Sequence, residues 1–116
     1  SHLLTQKYKF GVVASTKHPQ LNYDKVNYSN EPWANQPYQT VTYTSAHDNY
    51  TLWDKLQLTN KEASDDELVQ MNKMAAAIVL TSQGIPFIHA GDEFARTKVN
   101  EDGSLNHNSY NFIFFI

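Results

Sequence analysis

A chain of 116 residues, 41% hydrophobic and 18% charged, is long enough for one small packed domain and too apolar for wholesale disorder. A formal charge of −3, with no cluster of Lys or Arg, argues against a nucleic-acid partner. No stretch approaches the roughly 20 apolar residues of a membrane helix, and the absence of Cys excludes a disulfide framework or a thiol nucleophile.

In chain order, Leu3 to Val13 reads as the end of a helix stopped by Gly11. From His18 to Gln39, Pro19, Pro32 and Pro37 stand among many Asn, Gln and Tyr without periodicity, which predicts a long ordered loop. Loops above about 15 residues in compact domains are often functional. Thr40 to Ser45 is β-branched and aromatic, a strand signal, and Tyr50 to Leu56 reads as a short helix. Ser64-Asp65-Asp66-Glu67 has the spacing of a capping box, and its acidic residues suit the positive end of a helix dipole. The helix it opens is predicted to run to about Gln83, with Gly84 as its cap and Pro86 preventing continuation. Met74 to Leu80 is apolar on every side, which predicts packing against several neighbours. Ile85 to Ala90 follows as a second buried strand, and Gly91-Asp92-Glu93 turns away from it.

Strand, long helix, strand is an α/β order that normally gives two parallel strands. Ligands of α/β sheets bind beyond the C-terminal strand ends, and both His47-Asp48 and Asp92-Glu93 fall there in the sequence. By themselves these residues are ambiguous: Asp48 can simply cap the helix that follows, and Asp92 and Glu93 can be turn residues. A metal site on His47, His89 and His107 lacks any familiar ligand spacing, so none is expected. No G-x-S-x-G elbow and no Gly-rich phosphate loop occurs, and no cofactor is implied.

Taken together, the segments resemble a family. YTSAHDNYTLWDKL, Tyr43 to Leu56, resembles the fourth conserved region of glycoside hydrolase family 13, the α-amylase family, and in particular its pullulanase-type debranching members. GIPFIHAGDEF, Gly84 to Phe94, resembles that family's later G-x-P-x-x-x-x-G-x-E segment, and NHNSYN, Asn106 to Asn111, looks like pullulanases specifically. The resemblance implies a fragment of a (β/α)8 TIM barrel: residues 1–39 as a helix end and long loop, 40–111 as the seventh strand, seventh helix and eighth strand, and 112–116 as an atypical apolar end. It implies that His47 hydrogen-bonds sugar in the −1 subsite and that Asp48 is the invariant aspartate that stabilises the transition state. Asn49 would support the turn, and His89 and Glu93 would be structural, with Glu93 behind the site. Asn108, Tyr110 and Asn111 would line a substrate-facing loop. The partner implied is an α-glucan, and members of the family are often exported.

The family's nucleophile and general acid, carried by an Arg-x-Asp motif and a separate Glu motif, have no match here, nor does the Tyr-Asn-Trp-Gly-Tyr signature of type I pullulanases. The expectation is therefore a fragment, inactive alone. Phe112-Ile113-Phe114-Phe115-Ile116 replaces the polar continuation of the family, and such a run is an edge-strand liability. Self-association or a rearranged topology that buries it is expected. Two other readings remain on the residues alone: a non-catalytic carbohydrate-binding module using His47, Asp48, Trp33 and nearby Tyr, and a small interaction module in which His47-Asp48 is only a helix cap.

Overall fold

The computed structural model describes residues 2–26 and 30–108, with the backbone alone for 2–4. The expectations placed on Tyr110, Asn111 and 112–116 lie outside the described residues. The chain forms two compact units: Ser1–Tyr43 with Ile78–Phe87, and Thr44–Ala77 with Ile88–Ile116.

The first unit begins with α1, His2–Val12. Gly11 does not stop it. The helix ends in a Schellman arrangement, in which the Ser15 N–H donates to the Phe10 carbonyl (2.9 Å) and the Ala14 N–H to Gly11 (3.0 Å). Ala14 takes the left-handed position at φ 55° and is buried. A buried Ala can hold a position that usually goes to Gly, because surrounding structure offsets a strain of about 1 kcal/mol.

Gln6 and Phe10 face inward from α1. The Gln6 side chain accepts from the Asn22 N–H (2.9 Å), and Phe10 meets Tyr23 edge to face with ring centroids 6.2 Å apart. The described parts of the predicted long loop, 18–26 and 30–39, hold short helical turns at Tyr23–Lys25 and Pro37–Gln39. The second turn is closed by Gln39, whose side chain accepts from the N–H groups of Asn35 and Gln36, both at 2.9 Å.

Strand β1 is Val41–Thr42 and strand β2 is Ile85–Pro86. They pair in parallel, Val41 opposite Ile85 and Thr42 opposite Pro86, as the strand–helix–strand order predicts. Proline fits because in a parallel ladder the flanking N–H groups carry the bonds to this neighbour: Ile85 donates to Thr40 and Phe87 to Thr42, both at 2.9 Å. The Tyr43 and Phe87 rings add an edge-on contact at 5.9 Å. Both strands are shorter than predicted. β1 leaves the ladder before Ser45, whose buried hydroxyl is turned to a carboxylate instead. β2 is exposed rather than buried, with Ile85 half exposed. β-branched residues set a preference for extended backbone, but the length of a ladder is set by what pairs with it.

The second unit holds α2, Leu52–Thr59, capped by the Thr51 hydroxyl, which accepts from the Asp54 N–H (3.1 Å). Helix α3, Asp65–Thr81, starts in this unit and ends in the first. Its capping box forms as predicted: the Ser64 N–H donates to Glu67 (2.8 Å) and the Glu67 N–H to the Ser64 hydroxyl (3.3 Å). These bonds hold the Glu67 carboxyl below its ordinary pKa. The expected all-round packing of Met74 to Leu80 is not what forms. Among these residues only Val79 is buried, while Met74 and Leu80 are more than half exposed. Leu68 and Val79, three turns apart, mark one buried stripe, so one face of the helix is covered rather than all of them. No described helix is long and apolar enough to cross a membrane.

Candidate functional site

The second unit gathers His47, Asp48, Asn49, His89, Asp92, Glu93 and Asn108. His47, Asp48 and Asn49 are exposed in succession on one turn. Asn49 has φ 66°, a conformation that Asn tolerates better than most residues. The turn closes on itself: the Asn49 N–H donates to Asp48 Oδ1 (2.9 Å) and the Tyr50 N–H to Asn49 Oδ1 (3.0 Å). Asn49 therefore supports the turn, and Asp48 is not the cap of α2, a role that falls to Thr51. The Tyr50 ring lies 5.6 Å from the His107 ring.

Asp92 is buried beneath this surface and is engaged from two sides. The Ser45 hydroxyl donates to its carboxylate, 2.9 Å from both oxygens, and the Asn72 side-chain amide donates to its carbonyl (2.9 Å). Glu93 folds back on its own turn, where Oε2 accepts from the Gly91 N–H (2.9 Å). That contact makes Glu93 a turn residue. Among the described residues no group of three or more His, Asp or Glu could hold a metal ion.

The feature sequence reasoning missed is a buried hub of Asp54 and Lys98. Asp54, fully buried in the first turn of α2, accepts from the Thr97 hydroxyl and from the Lys98 N–H (2.9 Å). Lys98, also buried, sends its ammonium to the carbonyls of Asn49 (2.5 Å), Asn108 (2.8 Å) and His47 (3.3 Å). Burial lowers the Lys98 pKa, while Asp48 and Asp54 oppose that shift and Arg96 adds to it. The backbone from Lys98 onward doubles back, with Val99 opposite Leu105 and the Asn106 N–H donating to Lys98 (2.8 Å). This return brings Asn108 to the ammonium. An acidic residue in the first turn of a capped helix was the available signal for Asp54, but nothing local marked Lys98 as different from a solvated charge.

His89 is half-buried, and its Nδ1 has no hydrogen-bond partner among the described residues, as is also true of Asn72 Oδ1. Burial lowers the His89 pKa below the usual histidine value. Asp92 counters this, whereas Arg96, Lys98 and His47 reinforce it. The unfolded chain then binds a proton more readily than the folded one, so this contribution to stability is present above pH 6.5 and is lost as pH falls through the folded-state pKa. We expect the urea midpoint to fall between pH 7 and pH 5 and to fall less in His89→Gln. An equal drop in both proteins would assign the acid sensitivity to other groups.

Trp33, a sugar-contact residue in the carbohydrate-binding reading, lies in the first unit. There it lines a cavity of about 200 Å³ with Thr40, Thr42 and Tyr43.

No family model matches the chain. It is 49% identical over 74 residues to pullulanase 1, chloroplastic, of Arabidopsis thaliana, a match covering 63% of this chain and 7% of that protein. It is 42% identical over 66 residues to the pullulanase of Bacillus subtilis strain 168, covering 57% and 9% respectively. In structure it resembles the pullulanase of Paenibacillus barengoltzii solved in complex with maltohexaose and α-cyclodextrin. The TM-score there is 0.66 and the identity 45%, over 90% of this chain and 14% of that one. The chain thus spans less than a tenth of the length of the two curated relatives.

Proposed function

We propose that this chain, a homologue of pullulanases over the matched part of its length, is a segment of an α-glucan debranching hydrolase whose His47-Asp48 turn faces the sugar. The observation that carries the reading is the pullulanase match at 49% identity together with the exposure of His47 and Asp48 side by side on an internally bonded turn. The parallel pairing of β1 and β2 around a helical connection supports assigning the segment to strand 7, helix 7 and strand 8 of a (β/α)8 barrel of glycoside hydrolase family 13. The intact enzyme would hydrolyse α-1,6-glucosidic bonds.

In this reading Asp48 is a stabiliser, neither nucleophile nor proton donor. Its carboxylate accepts hydrogen bonds from sugar hydroxyls, and these strengthen as positive charge spreads over the ring toward an oxocarbenium ion. Only that differential part lowers the barrier. His47 orients the same sugar by hydrogen bonding, and Asn108 meets a neighbouring part of the chain. Bond breaking by retention needs a carboxylate nucleophile and a carboxylic acid about 5 Å apart. The motifs that supply them in this family are not in the sequence, so the isolated chain is inactive. Exposed apolar residues in and beside the short sheet, among them Val41, Tyr43 and Ile85, support the companion reading that the chain self-associates.

The test is release of reducing ends from pullulan by the purified 116-residue chain, with Asp48→Ala as control. Neither protein is expected to release any. Turnover by the parent chain that Asp48→Ala abolishes would mean that carboxylates within this chain complete the reaction, and the stabiliser-only assignment would fall.

A further inference from the structure

A buried lysine needs a reason. Lys98 is 8% exposed, and burying an ammonium is costly unless its hydrogens and its charge are both met. All three hydrogens have acceptors here, and each is a main-chain carbonyl: His47, Asn49 and Asn108. The His47 carbonyl belongs to the peptide that enters Asp48, and the Asn49 carbonyl to the peptide one residue beyond the one that leaves it. Holding the backbone at these two points limits how the turn between them can rotate, so Lys98 biases where the Asp48 carboxylate points without touching a ligand.

Three further observations agree. Asn49 sits in the left-handed region, which Asn adopts at small cost, and its carbonyl takes the shortest of the three bonds. Lys98 is itself anchored from its main chain, through the bond to the fully buried Asp54 on α2. The third carbonyl belongs to Asn108, about 60 positions along the chain from the turn, so one ammonium ties together two segments that are remote in sequence. Methionine would fill the same volume but offer no donor. Arginine is planar and longer, and its fork does not converge on three carbonyls as an ammonium does.

We propose that Lys98 is the positioning residue of this site, clamping the His47-Asp48-Asn49 turn to the Asn108 segment so that a glucan meets the two as a single preset surface. The glucan part rests on the function proposed above, but the clamp does not. A preset surface binds more tightly because less ordering remains to be done on binding.

The experiment is amide hydrogen exchange by NMR on the full chain and on Lys98→Met and Thr97→Val. The amides of Asn49, Tyr50 and Asn108 report on the clamp, since each donates to a neighbouring side chain. Those of Ile85 and Phe87, in the other unit, report on general stability. Lys98→Met is expected to speed exchange at least tenfold at the first three and to leave Ile85 and Phe87 unchanged. Thr97→Val, which removes a bond to Asp54 but none to the three carbonyls, is expected to speed the first three less than threefold. Equal acceleration by both variants, or none by Lys98→Met, overturns the clamp. Should Lys98→Met fail to fold, Lys98→Gln, which retains an amide donor, is judged by the same criterion with at least a threefold effect. Maltotetraose added to the same samples separates the two ideas. Shifts at Asp48 and Asn108 that need at least tenfold more sugar in Lys98→Met support both, whereas no shift in the parent chain removes the glucan-facing reading and leaves the clamp to the exchange rates.

Discussion

Replacing Asp54 with Ala is expected to destabilise the second unit by about 4 kcal/mol. The carboxylate is fully buried and takes bonds from the Thr97 hydroxyl and the Lys98 N–H, both in or beside a buried residue. Truncation leaves two donors without acceptors, at about 1–3 kcal/mol each, and opens a void where the side chain stood. Asp54→Asn keeps the shape and one acceptor, so roughly half that loss is expected. Trp53 stands next to the substituted position, while Trp33 lies in the other unit. Urea unfolding followed by Trp53 fluorescence in a Trp33→Phe background therefore reads the effect locally. An Asp54→Ala protein within about 1 kcal/mol of the parent would show that the hub is not a stability centre.

Gly84→Ala should cost the first unit about 3 kcal/mol. Gly84 has φ +100°, outside the left-handed well that other residues occupy. A Cβ there would stand 2.8 Å from the Thr40 hydroxyl oxygen, 2.9 Å from that of Thr42 and 3.3 Å from the Thr40 carbonyl. Neither hydroxyl is free to retreat, because Thr40 donates to Pro37 and Thr42 to Gln83. The added methyl thus combines backbone strain with the loss of one or both bonds. Faster exchange of the Ile85 and Phe87 amides, with a lowered urea midpoint, is the expected signature. A protein as stable as the parent would mean that the turn relaxes to another geometry.

What could be read from the sequence was local or set by the order of elements. The Ser64–Glu67 capping box spans three residues and forms as its spacing requires. The parallel pairing of β1 and β2 follows from element order alone. The turn at His47-Asp48-Asn49 was legible through a motif, and the supporting part of Asn49 is visible in its bond to Tyr50. What stayed hidden depends on partners far along the chain. Lys98 lies about 50 positions from His47, and composition treats a lone lysine as solvated. Gly11 looked like a helix stop, yet the left-handed cap fell to Ala14, where burial rather than intrinsic preference decides. The strands were overextended for a related reason: Thr40 to Ser45 has the side chains for a longer ladder, but Ser45 is claimed by Asp92.

The brevity of that ladder has a consequence for the order of events in folding. Val41 and Ile85 stand more than forty residues apart, and joining them closes a loop whose entropy loss is about 3 kcal/mol. The two main-chain bonds gained, at about 1 kcal/mol each, do not offset that by themselves. Pairing becomes favourable only once α2 and α3 have formed and shortened the intervening chain, so the strands join late. By the same reckoning the ladder does not outlast the helical connection that makes it favourable, so its opening follows the loss of the fold around it.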